Sequence, residues 1–238
     1  MKLGVNSNNG VYANDYSIEF NGNTQYVEID ALAGKFGVNT GTISVWAKIP
    51  FLTSSAFLFR VQSGTSSSPD NLLQLLYHAS SNEMRFTYKG ATVVRSAIMT
   101  NGDTDIENQG WKHFVGTYDT SANEVKIYMN GGTPKNTNSS TMTQFDDALD
   151  NCDLFRNTGS GTGFAKGEFC DLAIFDEVVS ADTLYNGGVP FDLTGMSGLK
   201  GYFKFQEGNT AIGTPVDSSG QATSGDFANS PTYSTDTP

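Results

Sequence analysis

The chain has 238 residues, with 14 Lys and Arg against 25 Asp and Glu for a formal net charge of −11. That balance excludes a nucleic-acid binder, whose affinity rests on clustered Lys and Arg, and the length can enclose an apolar core without disulfides. Only 16% of residues are charged, against roughly 25% in average soluble domains, so Ser, Thr and Asn, 68 together, must build the polar surface. No apolar run approaches the ~20 residues of a membrane helix, and residues 1–10 carry no apolar stretch of the secretory kind. No membrane insertion is expected.

Alternation dominates in chain order. Tyr16, Ile18 and Phe20 fall two apart, as do Ile43, Val45, Ala47 and Ile49. The same spacing recurs in Phe57, Phe59 and Val61, in Leu73, Leu75 and Tyr77, in Met84, Phe86 and Tyr88, and in Val125, Ile127 and Met129. Residues at that period share one face of a strand. Turn signals separate the runs: Asn21-Gly22, Lys89-Gly90, Asn101-Gly102, Asn130-Gly131-Gly132 and Asn186-Gly187-Gly188. Strands every ten or so residues with no intervening helical pattern indicate an all-β sandwich or barrel. One short helix is expected near 180–186, opened by Ser180 as N-cap, with Asp182 in its first turn and glycines at its end. Residues 1–205 read as the domain body. Residues 206–238, sparse in apolar groups beyond Ile212, Val216, Phe227 and Tyr233, read as an irregular wrap and tail of the same domain.

Cys152 and Cys170 each lie nine residues from Gly161, at the centre of a glycine-rich stretch. Were this a hairpin, the two would face each other with β-carbons ~4.5–5.5 Å apart, close enough for a disulfide. Two buried thiols in a chain assembled in a reducing cell fit the same residues. Both readings stay open at this stage.

Five segments carry a family resemblance. Tyr16 to Gly22 with Gln25 to Ile29, and Gly41 to Lys48, resemble the opening strands of laminin-G-like and pentraxin-like domains. Trp111 to Asp119 and Val125 to Gly131 resemble their central hairpin, and Gly167 to Asp176 with Ser180 to Tyr185 their closing strand and helix. The resemblance implies a concanavalin-A-like jelly roll of two antiparallel sheets. Leu199 to Gly208 with Val216 to Gly220 resembles a segment that elsewhere precedes the first strand. With the finish Ser234-Thr235-Asp236-Thr237-Pro238, it resembles the laminin-G-like structural proteins of marine bacteriophage virions.

Jelly rolls of this class include glycoside hydrolases. Glu28-Ile29-Asp30-Ala31-Leu32-Ala33 resembles half of the laminarinase-like signature Glu-x-Asp-x-x-Glu, but Ala33 stands where the second Glu belongs, in a place where non-catalytic relatives carry a plain strand. Retaining hydrolysis needs both carboxyls, so no enzyme is expected. His78 and His113 both fall in strand patterns, no nucleophile elbow precedes a helix, and no paired zinc spacing occurs. For calcium, Asp70 and Asn71 resemble the adjacent ligands of pentraxins. The second acidic loop expected after Leu154 is replaced by Arg156-Asn157-Thr158-Gly159-Ser160-Gly161, and calcium wants 6–8 oxygens. Acidic Asp103, Asp105, Glu107, Asp146 and Asp147 are spare. The scattered tyrosines and the polar loops 63–68 and 136–143 offer the materials of glycan recognition without a fingerprint.

The resemblance thus implies a non-catalytic structural protein on a virion surface, a phage capsid decoration or tail-associated component. It would dock on virion proteins, touch host-surface glycans, and assemble as a homo-oligomer. The alternative is a secreted or surface carbohydrate-binding lectin, assisted by Ca²⁺ at Asp70 and Asn71.

Overall fold

Alternation at a period of two becomes pleated strand along most of the chain in the computed structural model, which describes residues 12–100, 106–208, 214–221 and 225–238. The turn expected at Asn101-Gly102, the acidic Asp103 and Asp105, Ile212 and the start at residues 1–10 lie outside the described residues. The first elements are β1 (Ser17–Asn21), β2 (Tyr26–Glu28), α1 (Asp30–Ala33), β3 (Thr40–Lys48), β4 (Ala56–Gln62) and β5 (Leu72–His78). Next come β6 (Glu83–Gly90), β7 (Val93–Met99), β8 (Lys112–Asp119), β9 (Glu124–Met129), β10 (Asn136–Asn138) and β11 (Asn151–Leu154). The last are β12 (Lys166–Phe175), α2 (Ala181–Tyr185), β13 (Leu199–Phe203), β14 (Asp226–Ala228) and β15 (Thr232–Ser234). No helix among the described residues is long and apolar enough to cross a membrane.

The strands form two antiparallel sheets in a jelly-roll sandwich. Sheet A runs β10-β9-β8-β3-β12-β1-β15, with β13 paired to β12 beside β1; sheet B runs β14-β2-β11-β4-β5-β6-β7. The long β12 shares one edge between two partners: residues 166–169 pair with β1 and residues 172–175 with β13. A bulge at Asp171, whose φ is +49°, separates the two halves. The expected C-terminal wrap supplies one short strand to the edge of each sheet, β14 against β2 and β15 against β1.

The core fills the space between the sheets. Ile18, Phe20, Ile43, Val45, Phe114, Tyr118, Ile127 and Phe169 enter it from sheet A, and Val27, Phe59, Val61, Leu73, Leu75, Phe86 and Tyr88 from sheet B. Phe155 stacks between Phe20 and Phe169 with ring centroids 4.2 and 4.5 Å away. A second, smaller cluster lies on the far side of sheet A, where Ala181 and Leu184 of α2 join Leu193 and Leu199 over Val115, Ala173, Phe175 and Tyr202. Trp46, His113 and Tyr185 stack beside it. Sheet A is therefore covered on both faces across its middle, and α2 stands where the sequence placed it, although the Ser180 side chain makes no capping hydrogen bond and Asn186 is the left-handed residue at its end.

The hairpin reading of the cysteines is corrected. Cys152 pairs with Val61 in sheet B and Cys170 with Trp46 in sheet A, so the chain between them crosses from one sheet to the other. The glycine-rich stretch closes on itself, Asn157 N donating to Thr162 O and Gly161 N to Asn157 O, instead of joining adjacent strands. Cys152 packs in the central core, Cys170 lies on the Trp46 side, and both thiols are free. Burial pushes both thiols up, which leaves little reactive thiolate. A thiol reagent should therefore label no cysteine in the native chain and two after unfolding, with a Tm indifferent to reductant. One protected pair persisting in urea without reductant would overturn this.

Candidate functional site

Beyond the face of sheet A on which α2 packs, polar side chains line the outer side of sheet B, where Glu28 and Asp226 are exposed, Gln74 and Ser96 half-buried, and Arg60, Thr87 and Asp153 buried. Its strands send alternate residues inward to the core, and the residues between them point away. Register then aligns one outward rung across all seven strands of the sheet: Asp226, Glu28, Asp153, Arg60, Gln74, Thr87 and Ser96 are successive cross-strand partners. Such partners lie ~4.5–5.5 Å apart, so these side chains from residues 28 to 226 form one continuous polar row.

The row divides into two halves. On the β2–β11 side, Arg156 gathers the acids: its Nε donates to Asp153 Oδ2 at 2.8 Å, and Nη2 lies 3.6 Å from Glu28 Oε2. The Arg156 guanidinium also sits 3.5 Å above the Tyr26 ring, and Thr158 Oγ1 donates to Asp153. Burial pushes the Asp153 carboxyl up, against the opposing pull of Arg156 and Thr158. On the β4–β7 side the groups are neutral around one cation. Arg60 donates through Nε to Gln62 Oε1 at 2.7 Å and through Nη1 to Gln74 Oε1 at 2.8 Å. Beyond them Thr87 and Ser96 hydroxyls share a hydrogen bond of 2.9 Å. Arg60 is 5% exposed, and burial pushes its guanidinium down to about 10.

Two loops flank this half. Gln62 Nε2 donates to Gly64 O and Ser66 O at 2.9 and 2.8 Å, holding the polar loop 63–68 at the rim. The glycine-rich loop leans on the same place, since a β-carbon at Gly159 would meet Ser66 O at 2.4 Å and one at Gly163 the Phe57 ring at 2.7 Å. Glycine lets that backbone approach so closely.

The residues singled out from sequence fall elsewhere or in structural roles. Asn71 is fully buried, and its Oδ1 accepts the amides of Ala91 at 2.9 Å and Asp146 at 3.4 Å. Asp70 is exposed and lends only its carbonyl, to Thr92 N. Among the described residues no three His, Cys, Asp or Glu side chains converge on a metal-sized site. Asp30 Oδ1 accepts the amide of Cys152 and Ala33 is packed in the core, whereas Glu28 of the hydrolase-like segment stands in the outer rung of sheet B. His78 Nδ1 meets Ser81 Oγ at 2.8 Å. His113 Nε2 meets Ser44 Oγ at 2.7 Å beneath α2, where burial pushes the ring down to about 3. Arg156 stands out in the sequence only as the replacement of an acidic loop; Asp153 carries no signal of its own, whereas Arg60 in Ala56–Gln62 and Gln74 in Leu72–His78 are polar side chains in phase within otherwise apolar strands.

Residues 21–184 match the family model Laminin_G_3, described as the concanavalin A-like lectin/glucanases superfamily. The chain belongs to this family. A Bacteroides ovatus structure described as carbohydrate-binding matches with TM-score 0.68 at 15% identity, over 92% of this chain and 59% of its own. The chain thus spans about 59% of that structure's length. The CBM40 of the Ruminococcus gnavus IT-sialidase, solved with α2,3-sialyllactose, matches with TM-score 0.59 at 17% identity over 71% of this chain and 95% of its own. A heptameric SAP-like pentraxin from Limulus polyphemus matches with TM-score 0.52 at 14% identity, over 74% and 82%. At these identities the likeness is one of fold. Comparison with curated protein sequences gave no match.

Proposed function

We propose that the chain is a non-catalytic carbohydrate-binding domain that holds saccharides across the outer face of sheet B. The observation that carries this reading is the single polar rung from Asp226 to Ser96 on the outer side of sheet B, exposed at Asp226 and Glu28 and half-buried at Gln74 and Ser96. The Gln74 amide and the Thr87 and Ser96 hydroxyls, beside the Glu28 and Asp226 carboxylates, supply both donors and acceptors for sugar hydroxyls. Two fold neighbours add support, the Bacteroides ovatus protein described as carbohydrate-binding and the CBM40 solved with sialyllactose. Catalysis is disfavoured by the state of the acids. Retaining hydrolysis needs a nucleophile and a proton donor about 5–5.5 Å apart, whereas Glu28 and Asp153 both hold Arg156 and Ala33 is buried in the core.

A virion placement draws on residues 199–220, and in this fold Leu199–Phe203 is a strand paired to β12. The binding reading therefore takes precedence over the capsid or tail role, and recovery of the chain in purified particles would be the separate evidence for the latter.

A glycan array followed by titration calorimetry tests the proposal. Saturable binding is expected, and the double variant Gln74→Ala/Ser96→Ala should weaken it at least ~10-fold, the scale of one or two lost hydrogen bonds. Undiminished affinity in that variant, or no saccharide retained by the wild type, would refute it.

A further inference from the structure

We propose that the cleft between residues 33–38 and residues 145–149 binds a small organic ammonium ion with an apolar body. This site is separate from the polar rung of sheet B and does not rest on the saccharide reading. The cleft encloses about 440 Å³, within the range of small-molecule sites. Phe36 and Val38 line one wall, Phe145 and Leu149 the other, and Asp146 and Asp147 border the same space. Two acids that were spare in the sequence thus meet aromatic surface.

Both walls are fixed before any ligand arrives. Phe36 packs against Phe59 of the core with ring centroids 5.5 Å apart, and the Tyr118 hydroxyl donates to the Gly37 carbonyl. Phe145 stacks on Tyr88 at 4.7 Å and meets Tyr118 edge-on at 6.2 Å. The buried Asn71 accepts the amide of Asp146 through Oδ1 at 3.4 Å. Gln144 Nε2 donates to Asn39 Oδ1 and ties one wall to the other. A concavity held this way loses little freedom when a ligand enters.

The charges select a cation. Among the described residues neither Asp146 nor Asp147 enters an ion pair, and Lys35, within the facing segment, pairs with no carboxylate. Asp147 Oδ1 accepts the amide of Ala148 at 2.8 Å. Two adjacent carboxylates repel each other, and the net charge of −11 deepens the negative potential that an apolar-walled cleft focuses. An ammonium group meets those carboxylates and two half-buried phenyl rings, whose π-faces attract cations. Its apolar body covers Val38, which is 57% exposed. A bare metal ion would leave that apolar surface wet and find too few oxygens for calcium, and a neutral hydrocarbon would leave both acids uncompensated.

The test is titration calorimetry on the full chain with a matched pair, benzylammonium chloride against benzyl alcohol. The ammonium should bind ~5-fold or more tightly, the scale of an exposed ion pair, and the advantage should shrink as salt rises. Asp146→Asn/Asp147→Asn, at two exposed positions, should erase the difference and leave the alcohol's affinity in place. Gly34 also lines the cleft; its φ is −75° and a β-carbon there meets no atom within 4 Å. Gly34→Phe should therefore fold, fill the cleft and exclude both ligands. Gln74→Ala/Ser96→Ala should leave the ammonium affinity unchanged, so this proposal and the saccharide reading fail separately. Equal affinity for the two ligands, a preference that survives in the double Asn variant, or no binding of the ammonium would each overturn the site.

Discussion

The Asp171→Asn variant is expected to lose about 2 kcal/mol relative to wild type between pH 6 and pH 4. Asp171 is fully buried at the β12 bulge, where Tyr12 and Tyr202 donate to its Oδ1 and Lys204 and Cys170 lie near. Burial pushes its carboxyl up to about 6, more than those donors pull it down. A raised carboxyl binds its proton more tightly in the folded chain. Its contribution is therefore fully present below the unfolded value of 3.8 and lost as pH rises through about 6. His113 acts in the opposite sense, because burial holds the ring neutral down to about 3 from an unfolded value of 6.5. Its contribution is present above 6.5 and lost as pH falls toward 3. Between about 4 and 6 the two slopes, each about 1.4 kcal/mol per pH unit, run against each other. Removing Asp171's titration exposes the histidine slope, and His113→Gln should expose the carboxylate slope with the reverse sign. Urea unfolding at pH 4, 5, 6 and 7 reads both. Three parallel stability profiles would show that these buried groups do not govern the pH response.

The bulge at Asp171 also marks the limit of what periodicity can reveal. Alternation placed Ile18, Phe20, Ile43, Val45, Leu73, Leu75 and Phe86 on the core side, and all are buried there. It failed at Phe57, because the register between β4 and β5 shifts between Phe57 and Phe59. The extra residue, Leu58, moves Phe57 out of phase, and Arg60 stands 5.5 Å over its ring. A bulge is a contact-level event that a two-residue period does not record. The cysteine pair failed for a related reason: equal spacing about Gly161 is local, whereas membership of opposite sheets is decided by distant strands. The candidate site was hidden in the same way. Arg60, Gln74 and Asp153 are visible singly as polar interruptions, but they become one row only when β11, β4 and β5 are laid side by side.

Gly116→Val should destabilise the chain by at least ~3 kcal/mol, the upper range for overpacking a tight core. Gly116 shares the inward face of β8 with Phe114 and Tyr118, directly opposite Phe86 of β6. A β-carbon there would lie 2.3 Å from Phe86 Cδ2 and 2.4 Å from Cγ. The ring has no exposed surface, so it has no solvent side into which to swing, and the sheets must part. Phe86→Ala alone should cost about 3–5 kcal/mol through its cavity. Combined with Gly116→Val the valine can occupy the space the ring vacates, so the double variant should be less destabilised than the sum by more than ~1 kcal/mol. Strict additivity in urea unfolding would mean that this contact does not set the spacing of the layers. The same ring bears on binding, because Phe86 immediately precedes Thr87 in β6, and Thr87 faces outward in the polar rung. A single-site Gly116→Ala that remains folded should therefore weaken saccharide binding without touching the face itself, since pushing Phe86 outward carries Thr87 out of line with Gln74 and Ser96.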